Sequence, residues 1–355
     1  MSISSTILSA LQPDKTVDEK FYSSRGLVDL IANSSRSMDF IPPSVMERMR
    51  TLGSERAANL PAINDQNMIV ETTPGFNFIP SNLPTTATYT FTAVDVFSGA
   101  RFYDATFAEN QVDKDWERAN RLKSIMYDMA KVKETLSAAV LETIKTQKLG
   151  GITQVNAASA GNIAFSEVTD TLTFDKAAQL DQMFTHVDQL FSINEIPGKV
   201  SYVTNRGGLH AQINNALKNG AANAENLQAL GLPDVNRYYQ TTSIDSDGDI
   251  FNGYAIQDGA IGYVSNHPYD FARGTKVNGK EWSISDMEME WTRSQLNVYT
   301  QSEATEATSL VNSSNTVMTT FDEIALWDRF YIVYPYNSDR ANRVSGVFKI
   351  EGTTA

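Results

Sequence analysis

Gln111 to Lys148 reads QVDKDWERANRLKSIMYDMAKVKETLSAAVLETIKTQK. Apolar residues recur at Trp116, Ala119, Leu122, Ile125, Met126, Met129, Val132, Leu136, Val140 and Ile144. Steps of three and four put them on one stripe of an α-helix. Asp113 and Asp115 suit the positive end of the helix dipole, and Lys145 and Lys148 the negative end. Gly150-Gly151 supplies the expected stop. A helix over 112–148 would be roughly 55 Å long. Such a length suits a spine across a flat protein better than a compact enzyme domain.

Upstream of this helix, 61–110 is β-rich. Met68 to Thr73 reads as a strand that ends at Pro74-Gly75, and Phe76, Phe78, Pro80 and Pro84 follow. From Ala87 to Phe107 the pattern alternates. Tyr89, Phe91 and Ala93 share one face, and Thr88, Thr90 and Thr92 the other. This predicts a long hairpin, marginal in water alone, whose faces need a partner. Residues 1–60 read as an arm with short helical patches at Gly26 to Ala32 and Ser44 to Leu52. Pro43 suits the first turn of the second. Both patches need another surface, on the same chain or a neighbour.

Downstream, elements alternate. Thr171 to Phe174 is strand-like, a helix follows over 175–191, and Lys199 to Thr204 is a strand. Tyr238 to Ile244 and Ile250 to Ile256 read as a hairpin, and Ala260 to Val264 as a further strand. Residues 176–275 form a candidate mixed α/β domain. The stretch 281–301 is strand-like, 302–318 reads as a polar linker, and Phe321 to Tyr334 with Val344 to Ile350 reads as a last buried hairpin.

The chain has 355 residues, 41% of them apolar, enough for about two domains. Its 42 acids and 29 bases leave a net charge of −13. That disfavours non-specific grip on a phosphate backbone, which requires clustered Lys and Arg. With no cysteine there are no disulfides, thiolate metal sites or cysteine nucleophiles. No apolar run approaches the roughly 20 residues of a membrane span. The first residues show no signal-peptide pattern, so a cytosolic site of folding is expected.

Motifs for nucleotide binding, zinc proteolysis and serine hydrolysis are all missing. His186, His210 and His267 are scattered. Ser243 to Ile250 resembles a calcium loop through Asp245, Asp247 and Asp249, but Tyr254 stands where the bidentate Glu belongs, so a plain turn is the better reading. Asp286, Glu288 and Glu290 alternate along one strand face, more like a solvated face than an acid–base pair. Asn205-Arg206-Gly207-Gly208, between a strand and a helix, is weak evidence for phosphate binding. No catalytic, cofactor-binding or metal residue is expected.

The order of parts resembles the major capsid protein of tailed bacteriophages, the Hong Kong 97-type fold shared with encapsulin nanocompartments. The resemblance rests on FSGARFYDATFAENQVDKDWERANRLKSIMYDMAKVKETLSAAVLETIKTQ from Phe97, KVSYVTNRGGLHAQINNAL from Lys199 and GYAIQDGAIGYVSNHPYDF from Gly253. It implies an α+β chain with an N-terminal arm (1–60), an extended hairpin loop (61–110), and a spine helix with the first part of a peripheral domain (111–175). An inserted axial domain (176–275) and the second part of the peripheral domain (276–355) complete it. It further implies no enzyme activity and self-assembly into pentamers and hexamers, forming an icosahedral head shell around double-stranded DNA. The shell is built in the host cytoplasm, with separate scaffolding, portal and decoration proteins as partners. Its inner wall faces the packaged DNA without sequence-specific binding, and no membrane is involved. Phe76, Phe78, Tyr89 and Phe91 are the candidate contacts between subunits. The alternatives are a nanocompartment shell enclosing an enzyme and, in a different class, a cytosolic carboxylate-dependent hydrolase using Glu288 and Glu290.

Overall fold

A computed structural model of the chain describes residues 26–38, 40–51, 57–63, 86–103, 111–147, 154–155, 163–175, 187–192, 194, 196, 198–205, 238–244, 251–266, 276–277, 280–281, 283–289, 294–309, 316–335 and 345–353. The architecture is α+β. Helices α1 (Gly26–Ser34) and α2 (Pro43–Thr51) precede strands β1 (Ala57–Ile63), β2 (Thr86–Thr92) and β3 (Val94–Tyr103). Helix α3 (Gln111–Ile144) follows, 34 residues and about 51 Å long. Strands β4 (Gln154–Val155) to β16 (Val347–Thr353) make up the rest, with 187–192 helical.

Two sheets dominate. The larger has seven strands in the order β4-β5-β6-β16-β9-β7-β8, with β5 Ile163–Ser166, β6 Thr171–Asp175, β7 Val200–Asn205, β8 Tyr238–Thr241 and β9 Phe251–Gln257. The other has five: β10 (Gly262–Asn266), β15 (Thr316–Val333), β14 (Ser294–Ser309) and β13 (Ser283–Met289) in line, with β3 also on β15. β1 and β2 form a separate two-stranded antiparallel ribbon. β11 (Lys276–Val277) and β12 (Lys280–Glu281) form a minor one.

The 18-residue β15 explains the position of the five-stranded sheet. Ile324, Leu326, Phe330 and Ile332 join the core formed by Leu122, Met126, Met129 and Ile144 of α3 and by Leu27, Leu30 and Ile31 of α1. Tyr331 and Val333, on the opposite face, pack with Ile41, Met49, Phe91 and Ala93. A strand covered on both sides reads as one apolar run, as 324–333 nearly does. The seven-stranded sheet is also covered twice. Val203, Tyr254, Ile256 and Val347 face α1 and α3, whereas Tyr202, Ala255, Phe348 and Ile350 face Val187, Leu190 and Phe191.

α1 lies where the sheets meet, against β7, β8, β10 and α3. Its Leu27, Val28, Leu30 and Ile31 are at most 2% exposed, and each such burial is worth about 1.5–3 kcal/mol. The arm patches therefore use their own body as the surface they need. Gly26 is required at the N-terminus of α1, because a Cβ there would sit 2.0 Å from the backbone oxygen of Gln240. Pro43 begins α2 as expected, and the Pro42 carbonyl accepts from the Val45 and Met46 amides.

Several expectations are corrected. β8 and β9 are not a hairpin: β7 lies between them, parallel to β8 and antiparallel to β9. β16 does not pair with β15 but crosses to the seven-stranded sheet, parallel to β6 and antiparallel to β9. β2 and β3 serve different sheets: β2 pairs with β1 in an antiparallel ribbon, and β3 pairs with β15. The segment expected as a linker over 302–318 contains the end of β14 and the start of β15, paired from Ala304↔Phe321 to Ser309↔Thr316 beyond a register shift. Polar Thr and Ser are at home on a pleated strand once a partner supplies the hydrogen bonds. β5 and β6 share a sheet with β7 and β9, and β10 shares one with β15.

The spine ends at Ile144, before the glycines. Lys145 N–H still donates to the Leu141 carbonyl, but Thr146 N–H donates to the Val347 carbonyl at 2.8 Å. The Thr146 hydroxyl adds a 3.0 Å bond to the Ser345 carbonyl. A tertiary hydrogen-bond pair stops this helix rather than a glycine.

Candidate functional site

The apolar stripe read from sequence holds at Leu122, Met126, Met129 and Ile144 of α3 and fails at Trp116 and Val132. Leu122, Met126 and Met129 are buried, but Trp116 is 66% exposed and Val132 47%. In the C-terminal half the buried face holds Lys133, Glu134 and Ser137, each at 0% exposure. A one-residue shift turns a helix by about 100°, and here it exchanges Val132 for Lys133. The result is a polar seam between the spine and the core.

Lys133 Nζ lies 3.2 Å from Asp328 Oδ2 of β15, with side-chain exposures of 1% and 2%. The ammonium also stands over the rings of Phe330 (4.1 Å to the centroid) and Tyr263 (4.5 Å). Burial lowers the Lys133 pKa, and the charge and hydrogen bond of Asp328 oppose that shift. Ser137 donates to the Lys133 carbonyl at 2.7 Å, so its 2.6 Å bond with Tyr263 uses the Tyr263 proton. Burial raises the Tyr263 pKa well above its ordinary value.

Glu134 projects toward α1. Its two carboxyl oxygens accept from the Leu27 and Val28 amides, both at 2.8 Å. These belong to the orphan donors of a helix N-terminus. Thr241 of β8 also bonds to this carboxyl. About two turns further on, Glu142 gathers three partners: Tyr254 Oη at 2.5 Å, Lys145 Nζ at 2.5 Å and Lys349 Nζ at 3.2 Å. Burial works against its charge, but the bonds from Lys145 and Tyr254 and the charge of Lys349 outweigh it, so its pKa is lowered. At the other end of the helix, buried Arg118 pairs with Asp322 of β15 and stands over the Phe102 ring.

β3 is tied to β15 by a cross-strand cluster. Asp95 Oδ1 accepts from Arg329 Nε at 2.6 Å and from Trp327 Nε1 at 3.0 Å, and the Arg329 guanidinium lies over the Trp327 ring. Asp328 and Arg329 thus serve opposite faces of one strand. Each buried charge has a partner, as burial demands.

These groups carry load between elements. Lys133 and Glu134 are too deeply buried to meet a substrate. Among the described residues, no group of three or more His, Asp or Glu is placed to hold a metal ion. No helix there is long and apolar enough to cross a membrane.

The residues singled out from sequence fare unequally. Phe91 is 3% exposed, enclosed by its own chain, and its ring meets those of Tyr89 and Tyr334 at centroid distances of 4.7 and 5.4 Å. Half-buried Tyr89 shares a hydroxyl–hydroxyl hydrogen bond with Tyr334. Phe91 is thus a core residue of its own chain that anchors the ribbon. The alternation itself holds, with Thr88, Thr90 and Thr92 exposed. Phe76, Phe78, Asp245, Asp247, Asp249, Glu290 and the three histidines lie outside the described residues. So do Arg206, Gly207 and Gly208, while Asn205 ends β7, buried. Asp286 and Glu288 occupy β13 opposite Asn297 and Gln295. Lys133, Glu134, Arg118 and Asp328 were not anticipated. The visible signal was Asp328-Arg329 inside an apolar strand, since charges in such a run require partners.

No family model matches the chain, and no curated protein matches it. Solved structures do. A chain from Mycobacterium phage Che8 is 12% identical with a TM-score of 0.43, covering 88% of this chain and 89% of that one. A chain of the Cyanophage Pam1 capsid asymmetric unit is 10% identical with a TM-score of 0.44, covering 94% and 93%. A chain in the capsid structure of Cyanophage P-SCSP1u is 12% identical with a TM-score of 0.42, covering 86% of each. The chain is similar to phage capsid chains.

Proposed function

We propose that this chain is a structural shell subunit of the Hong Kong 97 type, a major capsid protein. It assembles into pentamers and hexamers that close an icosahedral head around double-stranded DNA. It is not an enzyme, and its place is the virion, reached after assembly in the host cytoplasm. Its partners would be separate scaffolding, portal and decoration proteins.

The observation that carries the reading is the ribbon. β1 and β2 pair with each other and with no third strand among the described residues, and 64–85 connects them. A two-stranded ribbon is marginal in water. One of its faces is held by Phe91 on its own core. The exposed threonine face is left for a neighbouring subunit. In sequence β3 stands between the ribbon and the spine, and the spine shares one core with strands of both sheets. The net charge of −13 fits an inner wall that does not clamp DNA.

The test is electron microscopy of the purified full-length chain, with analytical ultracentrifugation. Closed shells or pentamer and hexamer rings are expected, and deletion of 64–85 should abolish them while leaving the subunit folded. A protein that stays monomeric at high concentration, with or without 64–85, would overturn the assignment.

A further inference from the structure

Four residues, 258–261, carry the chain from β9 of the seven-stranded sheet to β10 of the five-stranded one. The start of this link is bound beside β7 and β16. Gln257 N–H donates to the Gly346 carbonyl and Asp258 N–H to the Lys199 carbonyl, both at 2.8 Å, and Ser201 Oγ donates to Asp258 Oδ1 at 2.8 Å. The rest is bound to the arm. Gly259 N–H donates to Ser34 Oγ and Tyr263 N–H to Ser35 Oγ, both at 2.8 Å. The Ser35 hydroxyl gives its own proton to the Ile31 carbonyl at 2.7 Å, so toward Tyr263 it acts as acceptor. Gly259 has a φ of 91°, and a Cβ there would sit 2.6 Å from the Ser37 carbonyl oxygen. A Cβ on Gly262 would meet the Met38 thioether.

We propose that 258–261 is a hinge between the two sheets, and that Ser34 to Ser37, the end of α1 and the turn after it, are its lock. A short link with glycine inside it and glycine at its end has the backbone freedom a hinge uses. Here that freedom is removed by groups that belong to neither sheet. Ser34 is 3% exposed, so water does not replace its hydroxyl while the arm is seated. Gly259 fits the Ser37 carbonyl only because it lacks a side chain. When the arm lifts, two donors lose their acceptors and the link can turn, so the sheets change their angle without breaking a strand pair. Leu27, Leu30 and Ile31 hold α1 in the core, so the locked state dominates and opening is a minor excursion. Arm position and inter-sheet angle are then one equilibrium. The inference concerns the folded subunit and stands whether or not the chain forms shells.

The full chain has no cysteine, so one labelled pair can be introduced cleanly. Nitroxides on Val168→Cys, between β5 and β6, and on Phe97→Cys of β3, residues 93% and 64% exposed, report the inter-sheet distance by double electron–electron resonance. Labelled chains are diluted into unlabelled ones. A single narrow distance is expected with the lock intact, and a broadened one when Ser34→Ala and Ser35→Ala are combined. Gly259→Ala, which disturbs the same contact from the link, should broaden it likewise. In the serine double variant the Asp258 and Ala260 amides, whose own acceptors are untouched, should exchange roughly two- to tenfold faster for each bond lost. Amides inside β6 and β15 should keep their rates. A broad distance with the lock intact, a narrow one in the serine variant, or a uniform rise in exchange over both sheets would overturn the proposal. If Gly259→Ala fails to fold, the serine variant decides.

Discussion

Lys133 of the spine helix and Asp328 of β15 form an ion pair at 3.2 Å inside the core, flanked by Tyr263 and Phe330. The two residues are 195 positions apart. The pair sets the rotation of α3 about its axis: a turn of one residue would bury Val132 and strand Asp328. Such a pair specifies geometry more than it adds net stability.

Removing one partner should therefore cost far more than removing both. Lys133→Met leaves Asp328 buried and uncompensated, and about 3–5 kcal/mol should be lost in chemical denaturation. Lys133→Met with Asp328→Leu should regain most of it. A double variant as unstable as the single one would show that the charge is not the source of the loss.

Aromatic truncations should separate core from surface. Phe91→Ala should cost about 3–5 kcal/mol in the isolated subunit, because its ring is enclosed by its own chain. Phe97→Ala and Trp116→Ala, at 64% and 66% exposure, should stay within about 0.5 kcal/mol. Denaturation midpoints of unassembled protein make the comparison.

Gly26→Ala is expected to be severe for so small a change. The added methyl meets backbone atoms of Gln240, so the helix start must move away from Glu134. A loss of about 1–3 kcal/mol should appear, with hydrogen exchange rising first in α1.

Glu142 should give stability an acid-side pH dependence. Its pKa is lowered, so its contribution is complete above the ordinary 4.5 and fades as pH falls toward the folded value. Wild type and Glu142→Gln should converge in stability below that window and differ above it. Tyr254→Phe should reduce the difference, since Tyr254 donates to this carboxylate. Thermal melts from pH 3 to pH 7 test both statements.

Local pattern was enough to place the spine, the strands β6 and β7 and the alternating faces of β2, because period and propensity act over neighbouring residues. It also exposed the lack of cysteine and of catalytic motifs. Strand partners were another matter. Ile350 pairs with Gly253 and Leu172 rather than with its neighbours in sequence, and β8 is separated from β9 by β7. Nothing in an isolated strand encodes which distant edge will accept its hydrogen bonds.

The candidate site was the least legible part. In KVKETLSAAV a sequence reading sends Lys133 and Glu134 to solvent, because charged side chains are rarely buried unless paired. Their partners, Asp328 on one side and the Leu27 and Val28 amides on the other, come from opposite ends of the chain. Amphipathic period, charge balance and turn chemistry are local quantities and can be read one residue after another. Burial of a charge is a property of the neighbours that folding brings to it, and only the packed chain supplies them.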